Sequence, residues 1–196
     1  MRYVLGLTGG IACGKSEVGN IFGELGVNII DTDEISRFVA SPPHKCYREM
    51  IEAFPDCVEN GFINRRKLRE KVFYDDEALK KLNSITLPYI KEETQKALSN
   101  ADGLVLLVVP LMFESGFDSF CDSVATVKCD EETRINRLTA RDNITRELAL
   151  KMIGAQTSDA ERERKSDIVI DNNGDLIALK KTVAALCEKI RRQINA

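Results

Sequence analysis

The chain has 196 residues, of which 43% are hydrophobic, and this is enough for one core with an added subdomain. Its 28 basic and 31 acidic residues give a net charge of −3, so no overall positive field favours binding to nucleic acid. The longest apolar run, residues 104–109, is too short to cross a membrane. The six cysteines form no C-x-x-C pair. We therefore expect a cytoplasmic protein without nucleic-acid or membrane partners.

The first predicted strand, residues 3–8, and the first predicted helix, residues 16–25, flank the sequence Gly9-Gly10-Ile11-Ala12-Cys13-Gly14-Lys15-Ser16. This sequence fits G-x-x-x-x-G-K-[ST], a phosphate loop. Such a loop turns backbone N–H groups toward one point, where the helix N-terminus adds positive charge. The pattern predicts a polyphosphate site in which Lys15 reaches the β and γ phosphates and the Ser16 hydroxyl binds Mg²⁺.

The second predicted strand, residues 27–30, runs into Asp31-Thr32-Asp33. The carboxyl ends of strands line the ligand crevice of an open α/β sheet, and residues two apart in an extended segment point the same way. Phosphorylation of a hydroxyl needs a group that accepts its proton, and either Asp33 or Asp31 could serve. The alternative is that Asp33 is only the N-cap of a helix that starts at Glu34.

The segment between Asp33 and Gly103 contains apolar residues at helical spacing and no convincing long strand, which predicts a helical insertion. Three further strands are predicted at residues 104–109, 124–127 and 168–170. Helical stretches separate most of the strands, so we expect an α/β fold with a parallel sheet.

The segment between Arg141 and Asp167 is polar and rich in arginine, and it predicts a second helical insertion. The predicted helix N-caps in and before this segment are Asp130, Thr145 and Ser158, the last in a capping box with Glu161. A final helix is predicted after Asp175.

Other phosphate-loop classes fit less well. The segments that resemble the guanine-nucleotide motifs, residues 164–167 and 171–174, occur in the wrong order, and the first has Arg164 in place of Asn or Thr. A motor ATPase usually carries an aspartate at the end of an apolar strand, whereas here the run ends in Val109-Pro110. A small-molecule kinase is favoured.

The sequence resembles the dephospho-CoA kinase family from about Val4 to the final helix. The matching residues are 7–16, 31–33, 61–68, 109–114, 141–142, 156 and 167–174. The resemblance implies a phosphate-loop NTPase fold, a three-layer α/β/α core with a five-stranded parallel sheet, a helical substrate-binding insertion and a helical lid. The implied parts are the core at residues 1–34, 100–141 and 166–196, the helical domain at 35–99 and the lid at 142–165.

The resemblance also implies ATP as donor, Mg²⁺ as cofactor and the ribose 3′-hydroxyl of dephospho-CoA as acceptor. It implies that Asp33 is the catalytic base and that Lys15 and Arg141 are catalytic, with Arg141 entering the phosphate site as the lid closes. The implied acceptor contacts are Asp31, Asp33, Arg65, Pro110 and Leu111. The implied nucleotide contacts are Gly10, Ile11, Ala12, Cys13, Gly14, Lys15, Ser16, Glu17, Asn172 and Gly174, with Ser16 on the metal.

Several points stay open at this level. Arg137, Arg146, Arg162 and Arg164 compete with Arg141 for the catalytic role. The chain departs from the family pattern at three places. Glu17 stands where the family often has Thr, Val109 where many members have an acidic residue, and Leu87-Pro88 where the family usually has His-Pro. A kinase for another acceptor, such as a nucleoside monophosphate or shikimate, and a non-catalytic nucleotide-binding regulator remain as alternatives. We expect a monomer or a weak homo-oligomer.

Overall fold

A computed structural model describes residues 2–194. The core segments predicted at 1–34 and 166–196 extend to Met1 and to residues 195–196, which lie outside the described residues. The described chain divides into two compact units. The first contains residues 2–30 and 100–194, and the second contains residues 31–99.

Seven strands and nine α-helices lie within residues 2–194. The strands are β1 (Arg2–Gly9), β2 (Asn28–Asp31), β3 (Val58–Glu59), β4 (Phe62–Ile63), β5 (Gly103–Val108), β6 (Ser123–Lys128) and β7 (Ile168–Asp171). The helices are α1 (Lys15–Glu24), α2 (Thr32–Val39), α3 (Lys45–Ala53), α4 (Arg65–Tyr74), α5 (Asp76–Ser99), α6 (Glu131–Asp142), α7 (Arg146–Gly154), α8 (Asp159–Lys165) and α9 (Leu176–Ile194).

Within the described residues, five strands form a parallel sheet in the order β2-β5-β1-β6-β7. Strand β1 lies between β5 and β6, with Leu5 opposite Leu106 on one side and Ser123 on the other. Strands β1 and β5 are almost continuously apolar because helices cover both faces of such a sheet. The prediction of an α/β phosphate-loop fold with a five-stranded parallel sheet is confirmed.

The main core of the first unit lies between this sheet and helices α1 and α9. Phe22 of α1 and Val183 of α9 are fully buried there, together with Leu106 of β5. A smaller apolar cluster joins α6 to α7 through Ile135, Leu138 and Ala149. This cluster packs against Ile11 and Ala12, so α6 and α7 support the turn after β1.

The second unit contains helices α2 to α5 and one hairpin that sequence analysis missed. In this hairpin β3 pairs antiparallel with β4, and the turn residues Asn60 and Gly61 have φ angles of 51° and 81°. Two residues per strand are too few to show an alternating pattern, but Asn-Gly is the turn signal that could have revealed the hairpin. Asn64 follows β4 and caps α4 by accepting hydrogen bonds from the N–H groups of Arg66 and Lys67.

The predicted N-caps can be compared with the structure one by one. Thr145 accepts a hydrogen bond from the Leu148 N–H, and Ser158 accepts one from the Glu161 N–H, so both predictions are confirmed. Asp130 occupies the N-cap of α6 without a side-chain capping bond. The idea that Asp33 caps a helix from Glu34 is wrong, because α2 already begins at Thr32.

No helix between residues 2 and 194 combines the length and the apolar character needed to span a bilayer.

Candidate active site

The turn between β1 and α1 has the backbone of an anion site. Ala12 and Gly14 have φ angles of 61° and 93°, and the Cys13 N–H donates to the Gly10 carbonyl at 3.2 Å. The first helical hydrogen bond of α1 runs from the Val18 N–H to the Gly14 carbonyl at 3.1 Å. The earlier amides of α1 therefore have no acceptor within the helix, and they supply donors and positive potential for a phosphate.

Two glycines of this turn are required by close neighbours. A Cβ added at Gly14 would lie 2.1 Å from Asn172 Nδ2, and one added at Gly10 would lie 2.6 Å from Arg134 Nη2. Real Cβ atoms do not approach other atoms this closely. A side chain at either position would have to displace buried Arg134 or Asn172 from its hydrogen bonds, which gives the glycines of the motif a packing reason beyond their backbone freedom.

Asn172, which follows β7, fixes the middle of the phosphate loop. Its buried side-chain amide donates to the Cys13 carbonyl at 2.8 Å, and its own N–H donates to the Lys128 carbonyl at 2.8 Å. Asn172 was predicted to contact the nucleotide, and the structure places its side chain against the loop that would hold the nucleotide's phosphates. Gly174 lies in the turn that leads to α9.

The peptide groups of Ile11 are held from both sides. The Ile11 N–H donates to Gln156 Oε1 at 2.8 Å, and its carbonyl accepts from Arg134 Nε at 3.0 Å. Gln156 lies between α7 and α8, in the segment predicted as the lid. The loop is thus bonded to residues more than a hundred positions further along the chain.

Arg134 is a site residue that sequence analysis missed. It is only 2% exposed, and its Nη1 makes an ion pair with Asp159 at 2.6 Å. Asp159 also pairs with Arg162 at 2.5 Å, so one carboxylate lies between two buried guanidinium groups. A usable signal was the spacing of Arg134, Arg137 and Arg141, which places three arginines on one face of α6.

The arginines that compete for the catalytic role lie in different surroundings. Arg137 donates to the Ala12 carbonyl at 3.3 Å and to the Asn172 carbonyl at 3.3 Å. Arg141 makes two 2.8 Å hydrogen bonds to the neighbouring Asp142, which raise the pKa of Arg141, and its side chain is 61% exposed. Arg146 makes an ion pair with Glu132. Arg162 is buried and makes an ion pair with Asp159, whereas Arg164 is exposed.

The remaining predicted loop residues lie in the first turn of α1. Lys15 is half-buried, and Ser16 and Glu17 are exposed. The Ser16 hydroxyl is a hard oxygen ligand of the kind that Mg²⁺ accepts. Between residues 2 and 194 there is no cluster of three or more His, Cys, Asp or Glu that could hold a metal alone. A magnesium ion here would depend on Ser16, phosphate oxygens and water.

Four of the five predicted acceptor residues lie at or after the carboxyl ends of two strands. Asp31 ends β2 and caps α2, with its Oδ1 accepting a hydrogen bond from the Asp33 N–H at 2.8 Å. Asp33 itself is exposed in the first turn of α2. Pro110 follows β5, and its carbonyl accepts a hydrogen bond from Thr8 Oγ1 at 3.2 Å, while Leu111 is 50% exposed.

Arg65 lines a cavity of about 300 Å³ within the second unit. The wall is mostly apolar, with Met50, Leu68 and Leu82, and Arg37 and Arg69 also line it. Sequence analysis singled out Arg65 but not these two. Arg69 is four residues after Arg65 on α4 and hence on the same face, which is a signal that could have found it. The cavity therefore suits a ligand that has an apolar part for this wall and an anionic group for the guanidinium groups.

A parallel sheet with such a loop between its first strand and first helix defines a phosphate-loop nucleotide-binding protein of the kinase-like fold. The family model described as dephospho-CoA kinase matches residues 3–178. The chain belongs to the dephospho-CoA kinase family.

Individual relatives agree with this assignment. The chain is 42% identical to the dephospho-CoA kinase of Fusobacterium nucleatum, over 95% of this chain and 98% of that protein. Among solved structures, TT1252 from Thermus thermophilus has a TM-score of 0.86 at 29% identity, covering 96% of this chain and 98% of that one. Dephospho-CoA kinase from Campylobacter jejuni has a TM-score of 0.74 at 24% identity, covering 98% and 99%, which is a likeness of fold.

Proposed function

We propose that this chain transfers the γ-phosphate of ATP to the ribose 3′-hydroxyl of dephospho-CoA and releases coenzyme A and ADP. The observation that carries the proposal is the phosphate loop, whose glycines, amides and buried supports suit a triphosphate in a chain of this family. The reaction is a phosphoryl transfer, in which positioning of the reactants and positive charge around the phosphate supply most of the catalysis.

On the donor side, the loop amides and Lys15 hold the β and γ phosphates, and Gly10 to Glu17 surround them. Ser16 would hold Mg²⁺, which would neutralise charge on the phosphate oxygens. Three side chains do not contact the phosphates but orient the backbone that does. They are Gln156, Arg134 and Asn172, which bond to carbonyl and N–H groups of the loop. Preorganised donors of this kind cost no rearrangement at the moment of transfer.

On the acceptor side, Asp33 takes the proton of the 3′-hydroxyl, and Asp31 supports it by fixing the start of α2. The cavity around Arg65 takes part of the acceptor. Its apolar wall suits the pantetheine arm, and its arginines suit the diphosphate of dephospho-CoA. Pro110 and Leu111 border the acceptor after β5.

We also propose that Arg141 leaves Asp142 and reaches the transferring phosphate when the lid, residues 142–165, closes. The Arg141–Asp142 pair is solvent-exposed, and an exposed pair contributes under about 1 kcal/mol, so its loss opposes this movement only weakly. A closed lid also excludes water and so prevents wasteful hydrolysis of ATP.

The proposed setting is the cytoplasm, with ATP and dephospho-CoA as partners and neither nucleic acid nor membrane, in a monomer or a weak homo-oligomer. All six cysteines are free thiols, as suits a reducing compartment. The balanced charge of the chain supports the absence of a nucleic-acid partner.

The test is an assay of the purified protein with ATP, Mg²⁺ and dephospho-CoA, in which the product is identified by mass spectrometry and by comparison with authentic 3′-phosphorylated coenzyme A. Parallel reactions contain AMP or shikimate as acceptor. We expect ATP consumption to match coenzyme A formation and to be far lower with the other acceptors. Preference for another acceptor, or ATP binding without transfer, would contradict the proposal.

A further inference from the structure

Two of the six thiols lie together at the phosphate loop. Cys13 is a residue of the loop and fully buried, and Cys129, which directly follows β6, is 6% exposed. Both belong to one buried core cluster, and a hydrogen bond between the two thiols shifts their pKa values in opposite directions. The Cys129 sulfur also lies 4.0 Å from the Ala12 carbonyl and 3.7 Å from Arg137 Nη1, so it contacts the loop at the residue before Cys13.

We infer that Cys13 and Cys129 form a thiol pair that a hydroperoxide converts to a disulfide, and that this disulfide reversibly inactivates the phosphate loop. The expected loss of kinase activity rests on the function proposed above, whereas the formation of the disulfide does not depend on it. No metal or added cofactor is needed, since the hydroperoxide is the oxidant and the two cysteines supply both electrons.

The chemistry balances in two steps. The Cys13 thiolate attacks the O–O bond, a sulfur–oxygen bond forms, and the other oxygen leaves as an alcohol or as water after taking up a proton. The Cys129 thiol then attacks the sulfur of the Cys13 sulfenic acid. The S–S bond forms, the S–O bond breaks, and water leaves with the Cys129 proton.

The surroundings favour Cys13 as the attacking sulfur. The hydrogen bond from Cys129 lowers the pKa of Cys13, burial opposes this, and the charge of Arg134 lowers the pKa further. The same hydrogen bond and burial raise the pKa of Cys129, which keeps it as a thiol. By contrast, burial raises the pKa of Cys46 to about 11 and that of Cys121 to about 12.

Disulfide formation has a direct consequence for the loop. An S–S bond is about 2.0 Å long, much shorter than the hydrogen-bonded contact that it replaces. Cys13 and Cys129 must therefore move toward each other, and the movement of Cys13 pulls on its carbonyl bond from Asn172 and on its N–H bond to Gly10. Breaking these bonds turns loop amides away from the phosphate position, so we expect ATP binding and turnover to fall together.

The experiment treats the reduced full-length protein with hydrogen peroxide and removes the excess with catalase. Digestion and mass spectrometry then locate cross-links, and ATP binding and kinase turnover are measured before and after dithiothreitol. In the unsubstituted protein we expect a Cys13–Cys129 cross-link lighter by two hydrogen atoms, a loss of turnover of about tenfold or more, and recovery with dithiothreitol.

Two variants separate this pair from general oxidation. Cys129→Ala removes the second thiol, and we expect it to lack both the cross-link and the dithiothreitol-reversible loss. Cys121→Ala removes a less buried thiol outside the pair, and we expect it to behave like the unsubstituted protein. Turnover and circular dichroism before oxidation show whether each variant is folded.

Three results would overturn the inference. They are the absence of the cross-link from the oxidised protein, full ATP binding by the cross-linked protein, and a reversible loss in Cys129→Ala as large as in the unsubstituted protein. The cross-link map and ATP binding require no variant and no acceptor. An untreated protein that does not phosphorylate dephospho-CoA would contradict the proposed function instead.

Discussion

The phosphate loop of the first unit and the arginine-lined cavity of the second differ in how their polar groups are held. The loop is bonded by buried or half-buried side chains from distant parts of the chain, namely Asn172, Gln156 and Arg134. In the cavity, Arg37, Arg65 and Arg69 are exposed to solvent. The first site is prepared for its anion by the fold, whereas the second must order its side chains when a ligand binds.

This difference predicts two kinds of mutational effect. Buried hydrogen bonds to charged groups contribute about 1.5–3 kcal/mol, so changes around the loop should alter stability and turnover together. Substitutions of exposed side chains usually change stability by less than about 0.5 kcal/mol, so changes at the cavity should alter acceptor binding and leave the fold intact.

The largest effect is expected from Lys15→Ala, which removes a positive charge from the transferring phosphate. We expect kcat to fall at least about a hundredfold, in line with an electrostatic contact worth ~3 kcal/mol. Steady-state kinetics with ATP and dephospho-CoA measure this. Lys189→Ala, at an exposed lysine of α9, is the control. Turnover close to normal in Lys15→Ala would show that the loop does not hold the reacting phosphate.

Asp33→Asn tests the proposed base on the side of the acceptor. We expect kcat to fall about a hundredfold while the KM for ATP stays nearly constant, because the change removes proton acceptance without touching the loop. Asp31→Asn is the matched control, since asparagine caps a helix as well as aspartate does. A fully active Asp33→Asn beside an inactive Asp31→Asn would transfer the role to Asp31.

Gly14→Ala tests whether the loop depends on close packing. Its new Cβ would lie 2.1 Å from Asn172 Nδ2 at a residue with a φ of 93°. We expect about 2–3 kcal/mol lower unfolding free energy, measured by denaturant titration, with loss of ATP binding. Gly19→Ala, inside α1, is the control, since nothing lies within 4 Å of the new Cβ. It should stabilise the protein by up to about 1 kcal/mol. Equal stability of the two variants would refute the packing argument.

Arg141→Ala tests whether the catalytic charge comes from an arginine that the structure shows in a surface ion pair. We expect kcat to fall about tenfold with little change in stability, since the pair with Asp142 is exposed. Arg146→Ala removes another exposed paired arginine and should be nearly normal. Normal kinetics for Arg141→Ala would move the role to Arg137, which contacts the loop directly.

The smallest effect is expected from Arg65→Ala in the cavity. We expect the KM for dephospho-CoA to rise about tenfold, equivalent to about 1.4 kcal/mol, with unchanged KM for ATP and unchanged unfolding free energy. Arg66→Ala, the next residue of α4 but outside the cavity lining, is the control. A change in the KM for ATP instead would break the distinction between a prepared donor site and an adaptable acceptor site.

Much of the first unit could be predicted from the sequence. All five strands of the parallel sheet lie within one residue of their predicted ends, because apolar runs and glycine turns are local signals. The hairpin of β3 and β4 escaped because its strands have two residues each. The alternative that Asp33 is a helix cap placed the start of α2 two residues late, because aspartate at either 31 or 33 satisfies the same preference.

The sequence alone determined the phosphate loop, the succession of strands and helices along the chain and the family, since each is read from local patterns in sequence order. Only the tertiary structure decided what holds that loop. Arg134, Gln156 and Asn172 lie more than a hundred residues from it, and Cys129 meets Cys13 from the end of another strand. The physical reason is that a buried backbone group needs a partner but does not specify one, so any suitably placed side chain can satisfy it, and folding brings that side chain near.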